Sequence, residues 1–160
     1  MIKTITKSKN PNLTRPRILL VVRMIIINNG KILLIQRSGE ESNNPLRWEI
    51  PGGKLDKGQD LTQAATREMI EEVGLFAIPV KQLVFFDSDI SSNNKYKGIP
   101  YIQLAGLYAS EGNKVRISKE HEDYKWVTLS NSLKLDLTEF TRKALLAWEV
   151  DIMRFLSKKK

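Results

Sequence analysis

Between Arg17 and Ile27 the chain is almost continuously β-branched or leucine-like, with Arg23 as the single interruption. Such a run predicts a mostly buried strand. Asn28-Asn29-Gly30 follows, a tripeptide that favours positive φ, and Lys31–Arg37 resumes the strand pattern. The two strands therefore read as a hairpin. Gly39 to Pro45 is a polar loop, and Leu46 to Ile50 is a short strand ending at Pro51-Gly52-Gly53. From Asp60 to Val73 the spacing predicts a helix: Leu61, Ala65, Met69 and Val73 form a stripe expected to face the core, and Gly74 is a plausible C-terminal cap. Leu75 to Phe86 is strand-like with an interruption at Pro79, and Ser88 to Gly98 reads as a polar loop. Ile99 to Tyr108 is another strand, Glu111-Gly112-Asn113 a turn, and Tyr124 to Leu129 a short strand. Leu137 to Phe155 carries apolar residues at helical spacing, namely Phe140, Ala144, Leu145, Trp148 and Ile152, and predicts one terminal amphipathic helix. Strands with a mid-chain helix and a terminal helix indicate an α+β fold, a mixed sheet covered by helices.

Size and composition narrow the functions available. The chain has 160 residues, enough for one domain with one core. It has no cysteine, which excludes disulfides, thiolate nucleophiles and Cys-based zinc sites. His121 is its one histidine, so a His-rich metal site is excluded as well. No apolar run approaches the roughly 20 residues of a spanning helix, and no secretory signal is visible, so a cytoplasmic protein without membrane contact is expected. The formal charge of +8 sits in the ends. Residues 1–17 hold five basic side chains and residues 154–160 hold four, without any acid, which leaves the middle at −1. Residues 1–16 read as a flexible basic arm, 17–156 as the folded domain and 157–160 as a basic tail. Basic ends can attract nucleic acid, but solvation is the simpler role, and nucleic acid is not expected as a partner.

The mid-chain helix carries the candidate chemistry. Glu68, Glu71 and Glu72 share one helical face, and that face overlaps the apolar stripe instead of opposing it. Like charges at this spacing repel by about 0.2–0.5 kcal/mol per pair. They also lie near the helix C-terminus, where the dipole disfavours negative charge. Either basic side chains or a hard divalent cation with oxygen ligands must offset the arrangement.

The segment from Gly52 to Leu75 reads GGKLDKGQDLTQAATREMIEEVGL. It resembles the Nudix box: a glycine, five residues, a glutamate, seven residues, Arg-Glu, an apolar residue, any residue, Glu-Glu, any residue, glycine and an apolar residue. Gly53, Arg67, Glu68, Met69, Glu71, Glu72, Gly74 and Leu75 match in register, and Gln59 stands where the pattern has glutamate. The resemblance implies a Nudix α/β/α sandwich that hydrolyses a nucleoside diphosphate linked to another group. It implies magnesium, with manganese as a substitute, held by Glu68, Glu71 and Glu72. Arg67 would brace the loop, and Gly52 and Gly53 would let the backbone turn tightly before the helix. Gln59 keeps an acceptor oxygen but loses a charge that in the family helps orient the arginine, so altered metal affinity is expected.

The likeness extends to Arg47-Trp48-Glu49-Ile50-Pro51 before the box and to His121-Glu122-Asp123-Tyr124-Lys125-Trp126 after it. Family members often supply a further carboxylate from the latter loop, as metal ligand or general base; Glu120 is the choice here over Glu122 and Asp123. Arg23, a charge inside an apolar strand, is expected to face a cleft and to meet phosphate, or else to be salt-bridged. Trp48 is placed with Arg23, Gly52 and Gly53 among substrate-binding candidates, since Trp48, Phe85, Phe86 or Tyr101 can stack on a base. The region around Ile90-Ser91-Ser92 lacks the downstream proline or tyrosine of subfamilies acting on ADP-ribose or dinucleoside polyphosphates. That favours a MutT-like enzyme releasing a monophosphate and pyrophosphate from a nucleoside triphosphate, oxidised ones included. An ADP-ribose or nucleotide-sugar pyrophosphatase is the alternative, and a nucleotide- or RNA-binding module with little turnover is a reading of another class. A homodimer is a family-level option.

Overall fold

The computed structural model describes residues 17–90 and 96–157. The expected arm over 1–16 and the last three tail residues lie outside them. Strand β1 (Leu19–Asn28) turns through Asn29 and Gly30, both at positive φ (44° and 79°), into β2 (Lys31–Arg37). The pairing holds only next to the turn, at Ile27–Ile32 and Asn28–Lys31. Beyond it β1 swings away and runs parallel to β5 (Pro100–Ala109) along nine registered pairs. The space left beside β1 is taken by the chain from Pro51 to Leu55. Val22 N donates to Gly53 O (2.9 Å), Met24 N to Pro51 O (2.8 Å) and Leu55 N to Leu20 O (2.8 Å). This splitting of the hairpin positions the glycine-rich segment. The short β3 (Trp48–Glu49) and β6 (His121–Val127) pair with β2, and β4 (Ile78–Ile90) pairs with β5 at the far edge. The result is a six-stranded mixed sheet.

Each face of the sheet has its own core. Ile25, Ile27, Ile32 and Leu34 pack on one side against Leu129 of a short helix α2 (Leu129–Ser132), Phe140, Ala144 and Leu145 of α3 (Glu139–Ala147) and Ile152 of α4 (Glu149–Ser157). Met24, Ile26, Leu33 and Ile35 pack on the other against Ala64 and Ala65 of α1 (Leu61–Glu68) and Met69 and Val73 beyond it. Alternate residues of β1 and β2 thus serve opposite faces, as the strand pleat dictates. The fold is the expected α+β sandwich. Among the described residues no helix is long and apolar enough to cross a membrane.

The elements differ from the sequence reading in several places. The mid-chain helix begins with a capping box, in which Gln63 N donates to Asp60 Oδ1 (2.8 Å) and Asp60 N to Gln63 Oε1 (3.0 Å). It does not stay α-helical: Met69–Val73 forms a wider π-helical turn, closed by Gly74 at φ 62°. Leu61, expected in the core, is exposed. β4 continues through the polar Ser88 and Asp89 to Ile90, because ladder hydrogen bonds to β5 do not depend on side-chain polarity and an edge strand tolerates polar residues. The terminal helix breaks at Trp148, whose indole N–H donates to the carbonyl of Val84. β6 starts at His121, ahead of the expected Tyr124.

Candidate active site

The site grows from the segment stitched to β1. Gly52 holds φ 146°, and a Cβ there would stand 2.0 Å from the carbonyl oxygen of Val22, so only glycine fits. Its freed N–H donates to Glu72 Oε2 at 2.7 Å. At Gly53 a Cβ would lie 2.3–2.5 Å from the carboxylate of Glu68. The glycines therefore serve the turn and also make room for two carboxylates of the π-turned helix.

Those carboxylates are not equivalent. Glu68 and Glu72 are buried, whereas the side chain of Glu71 is 56% exposed at the rim. Burial pushes the Glu72 carboxyl up to about 7, against the pull of His121, Arg23 and the Gly52 N–H. Burial raises Glu68 as well, opposed by the Arg67 charge beside it. Arg67 spans the group: Nη2 meets Glu68 Oε1 and Lys54 O, both at 2.8 Å, and Nη1 meets Glu71 Oε2 at 2.8 Å. Part of the expected charge conflict is thus offset by a basic side chain.

A second buried network lies behind the first. Glu49 Oε1 is 2.8 Å from Arg37 Nη1, and Glu49 Oε2 is 3.3 Å from Arg23 Nη1. Burial alone would raise this carboxyl, but Arg23, His121 and Arg37 together hold it down at about 2. Arg23 also donates to Gly52 O (3.0 Å) and Gln103 Oε1 (3.1 Å). His121 is buried, with Nδ1 at 3.1 Å from Ser118 Oγ and Nε2 at 3.6 Å from Glu49. At the start of β6 it is a buried member of this network.

Apart from His121, these side chains border one cleft of about 770 Å3, lined by Arg23, Gly52, Gly53, Arg67, Glu68, Glu71, Glu72 and Glu120 together with Lys54, Tyr96, Tyr101 and Gln103. All the sequence-derived site residues meet there except Trp48. The pleat of β3 sends Glu49 to the cleft and Trp48 to the opposite face, where it is buried in the core with Lys125 Nζ 4.3 Å from its ring. Phe85 packs on Phe140, and Phe86 is exposed outside the cleft, which leaves Tyr101 of the four aromatic candidates.

A NUDIX domain model matches residues 18–148. The chain belongs to the NUDIX family. The nucleoside triphosphatase NudI of Escherichia coli strain K12 is 31% identical over 131 residues, covering 78% of this chain and 92% of that protein. The crystal structure of a MutT NUDIX hydrolase from Burkholderia pseudomallei superposes with a TM-score of 0.65 at 27% identity, over 82% of this chain and 98% of that one. A bifunctional NMN adenylyltransferase/ADP ribose pyrophosphatase from Francisella tularensis, complexed with AMP and a manganese ion, shares the fold with a TM-score of 0.65 at 19% identity, over 86% of this chain and 42% of that one.

As a NUDIX hydrolase, the chain is a pyrophosphohydrolase whose box departs from pattern at Gln59. In the structure Gln59 does not reach Arg67; its Oε1 accepts from Asp56 N at 3.1 Å. Glu49 and Arg37 join the cleft as well, beyond the residues expected from the sequence. The available signal was the one used for Arg23, a charge within an apolar strand, since Glu49 lies between Trp48 and Ile50.

Proposed function

We propose that this enzyme cleaves the pyrophosphate linkage of a nucleoside triphosphate, giving a monophosphate and pyrophosphate. Glu68, Glu71, Glu72 and Glu120 would hold a divalent cation, magnesium before manganese. The observation that carries this is the burial of Glu68 and Glu72 at one cleft wall, each disfavoured as an anion without a cation to meet it. Hard carboxylate oxygens suit magnesium, which keeps several waters and needs few protein ligands. The room left at Gly53 for the Glu68 carboxylate fits a preformed ligand position. Among the described residues no three acidic or histidine side chains already surround a common point. Glu68 and Glu71 rest on Arg67 instead, and would share it with the cation.

Bound there, the cation supplies charge to offset the phosphate oxygens. The protein does the rest. Arg23 and Lys54 add positive charge at the cleft, Tyr96 and Tyr101 offer rings for a base, and Glu120 stands at the cleft lining to accept a proton from the attacking water. The likeness to a nucleoside triphosphatase supports the triphosphate over ADP-ribose or a nucleotide sugar. A magnesium-dependent assay over nucleoside triphosphates, ADP-ribose and nucleotide sugars tests the proposal. Turnover is expected on a triphosphate and a loss of at least about a hundredfold in Glu71→Gln. No turnover on any member, or Glu71→Gln behaving as wild type, overturns it and leaves a binding module.

A further inference from the structure

We infer that Asp56 is a positioning residue for Arg67, taking the part left open by the glutamine at position 59. The inference rests on the reading of Glu68 and Glu71 as metal ligands. Four oxygens meet the Arg67 guanidinium: Lys54 O, Glu68 Oε1 and Glu71 Oε2 at 2.8 Å, and Asp56 Oδ2 at 3.4 Å. Gln59 is not among them. Its Oε1 accepts from Asp56 N (3.1 Å) and its own N–H donates to Asp56 O (3.2 Å), so residue 59 holds residue 56 and residue 56 faces the arginine. The turn they form is anchored, because Leu55 N donates to Leu20 O and Lys54 bridges to Val21 of β1.

The four contacts differ in what a cation would do to them. Oxygens of Glu68 and Glu71 engaged by a dication are less available to Arg67. The two contacts that remain both come from the anchored turn, and Asp56 is the charged one. Before the cation arrives Arg67 holds the two glutamates that it touches, so Asp56, by fixing where Arg67 stands, sets where the cation meets them. A residue behind metal ligands typically changes metal affinity by about ten- to a hundredfold, and an exposed pair changes it less. Since Asp56 is 66% exposed, a three- to tenfold effect is expected, roughly at the junction of those ranges.

The test uses the full chain and Mn2+ alone as probe, with free Mn2+ counted by electron paramagnetic resonance. Alongside it, the 15N–1H signal of Arg67 Nε is recorded; this atom is buried without a hydrogen-bond partner, which makes it a local reporter. Asp56→Asn is expected to weaken Mn2+ binding about three- to tenfold. It should move the Arg67 signal and lower kcat with little change in KM. Asp56→Glu should recover most of the loss, and adding Gln59→Glu to Asp56→Asn should recover part of it by returning a carboxylate. The pair Asp56→Glu and Asp56→Gln repeats the comparison should Asp56→Asn not fold. Wild-type Mn2+ affinity and an unmoved Arg67 signal in the neutral variants would make Asp56 a solvated surface acid and overturn the inference. Failure of the underlying reading looks different: Glu71→Gln would then bind Mn2+ as wild type does, whatever Asp56 shows.

Discussion

Gly52 and Gly53 are adjacent and small for different reasons, and their alanine variants should part accordingly. At Gly52 the obstacle is backbone, Val22 O at 2.0 Å and Arg23 Cα at 2.7 Å, with φ in the left-handed region. Gly52→Ala should destabilise the fold by at least about 2 kcal/mol in urea unfolding. At Gly53 the obstacle is the far end of the Glu68 side chain, which can move. Gly53→Ala should unfold close to wild type yet lose turnover, and the reverse ranking would refute the assignment. Two of the three buried glutamates, Glu49 and Glu72, are shifted in opposite senses. Glu49 is depressed from 4.5 to about 2, so its contribution to stability is complete above pH 4.5 and is lost as the pH falls through 2. Glu72 is raised from 4.5 to about 7, so its ionisation costs the metal-free fold stability as pH climbs through that interval. If Glu72 is a metal ligand as proposed, Mn2+ binding would need its carboxylate, so affinity should rise with pH and level off above about 7, with release of a proton. A Glu72→Gln variant whose Mn2+ affinity keeps the same pH dependence would refute that assignment.

At the scale of elements, two departures from regularity matter. The mid-chain helix ends in the π-helical turn Met69–Val73, which inserts an extra residue per turn before Gly74. The turn leaves Met69, Glu72 and Val73 buried and Ile70 and Glu71 outward, so one ligand candidate lies inside and its neighbour at the rim. The second departure is the break between α3 and α4. Trp148 sits there, buried, bonded to Val84 and beneath Lys81 Nζ at 4.4 Å from its ring. It belongs to the core on the face of the sheet that holds α3 and α4, whereas the acidic residues come from α1 and the turn after it on the other face. Trp148→Ala should therefore cost about 3–5 kcal/mol in chemical unfolding while leaving KM near wild type in the protein that remains folded. A tenfold change in KM without loss of stability would contradict that separation.

At the scale of the whole molecule, the site is held by parts far apart in sequence: Arg23 from β1, Glu49 from β3, Glu68 and Glu72 from the helix and its π turn, His121 from β6. Ligand binding at such a junction should stabilise the entire fold. At a hundredfold excess over its Kd a cation adds about 2.7 kcal/mol, equivalent to roughly 5–10 °C in Tm for a chain of this size. Thermal unfolding with Mg2+ against EDTA measures this, and Glu71→Gln should shrink the difference. Equal Tm values across a Mg2+ titration would count against a cation at this cleft.

Local rules explain why much of this was legible in the amino-acid order. Strand pleat, helical period, the Asn29-Gly30 turn and the αL cap at Gly74 depend on neighbours within a few residues, and the spacing from Gly53 to Leu75 carries the box directly. What required the tertiary structure are properties set by distant partners. The face that Trp48 takes follows from where β3 meets β2, and the π turn occurs together with the bond of Glu72 to the distant Gly52 N–H. The pairing of Glu49 with Arg37 and the burial of His121 come with β3 and β6 pairing to β2, and the approach of Asp56 to Arg67 comes with the segment from Pro51 to Leu55 stitched beside β1 where β1 leaves β2. That divergence balances long-range hydrogen bonds against a hairpin that local signals alone would have zipped shut.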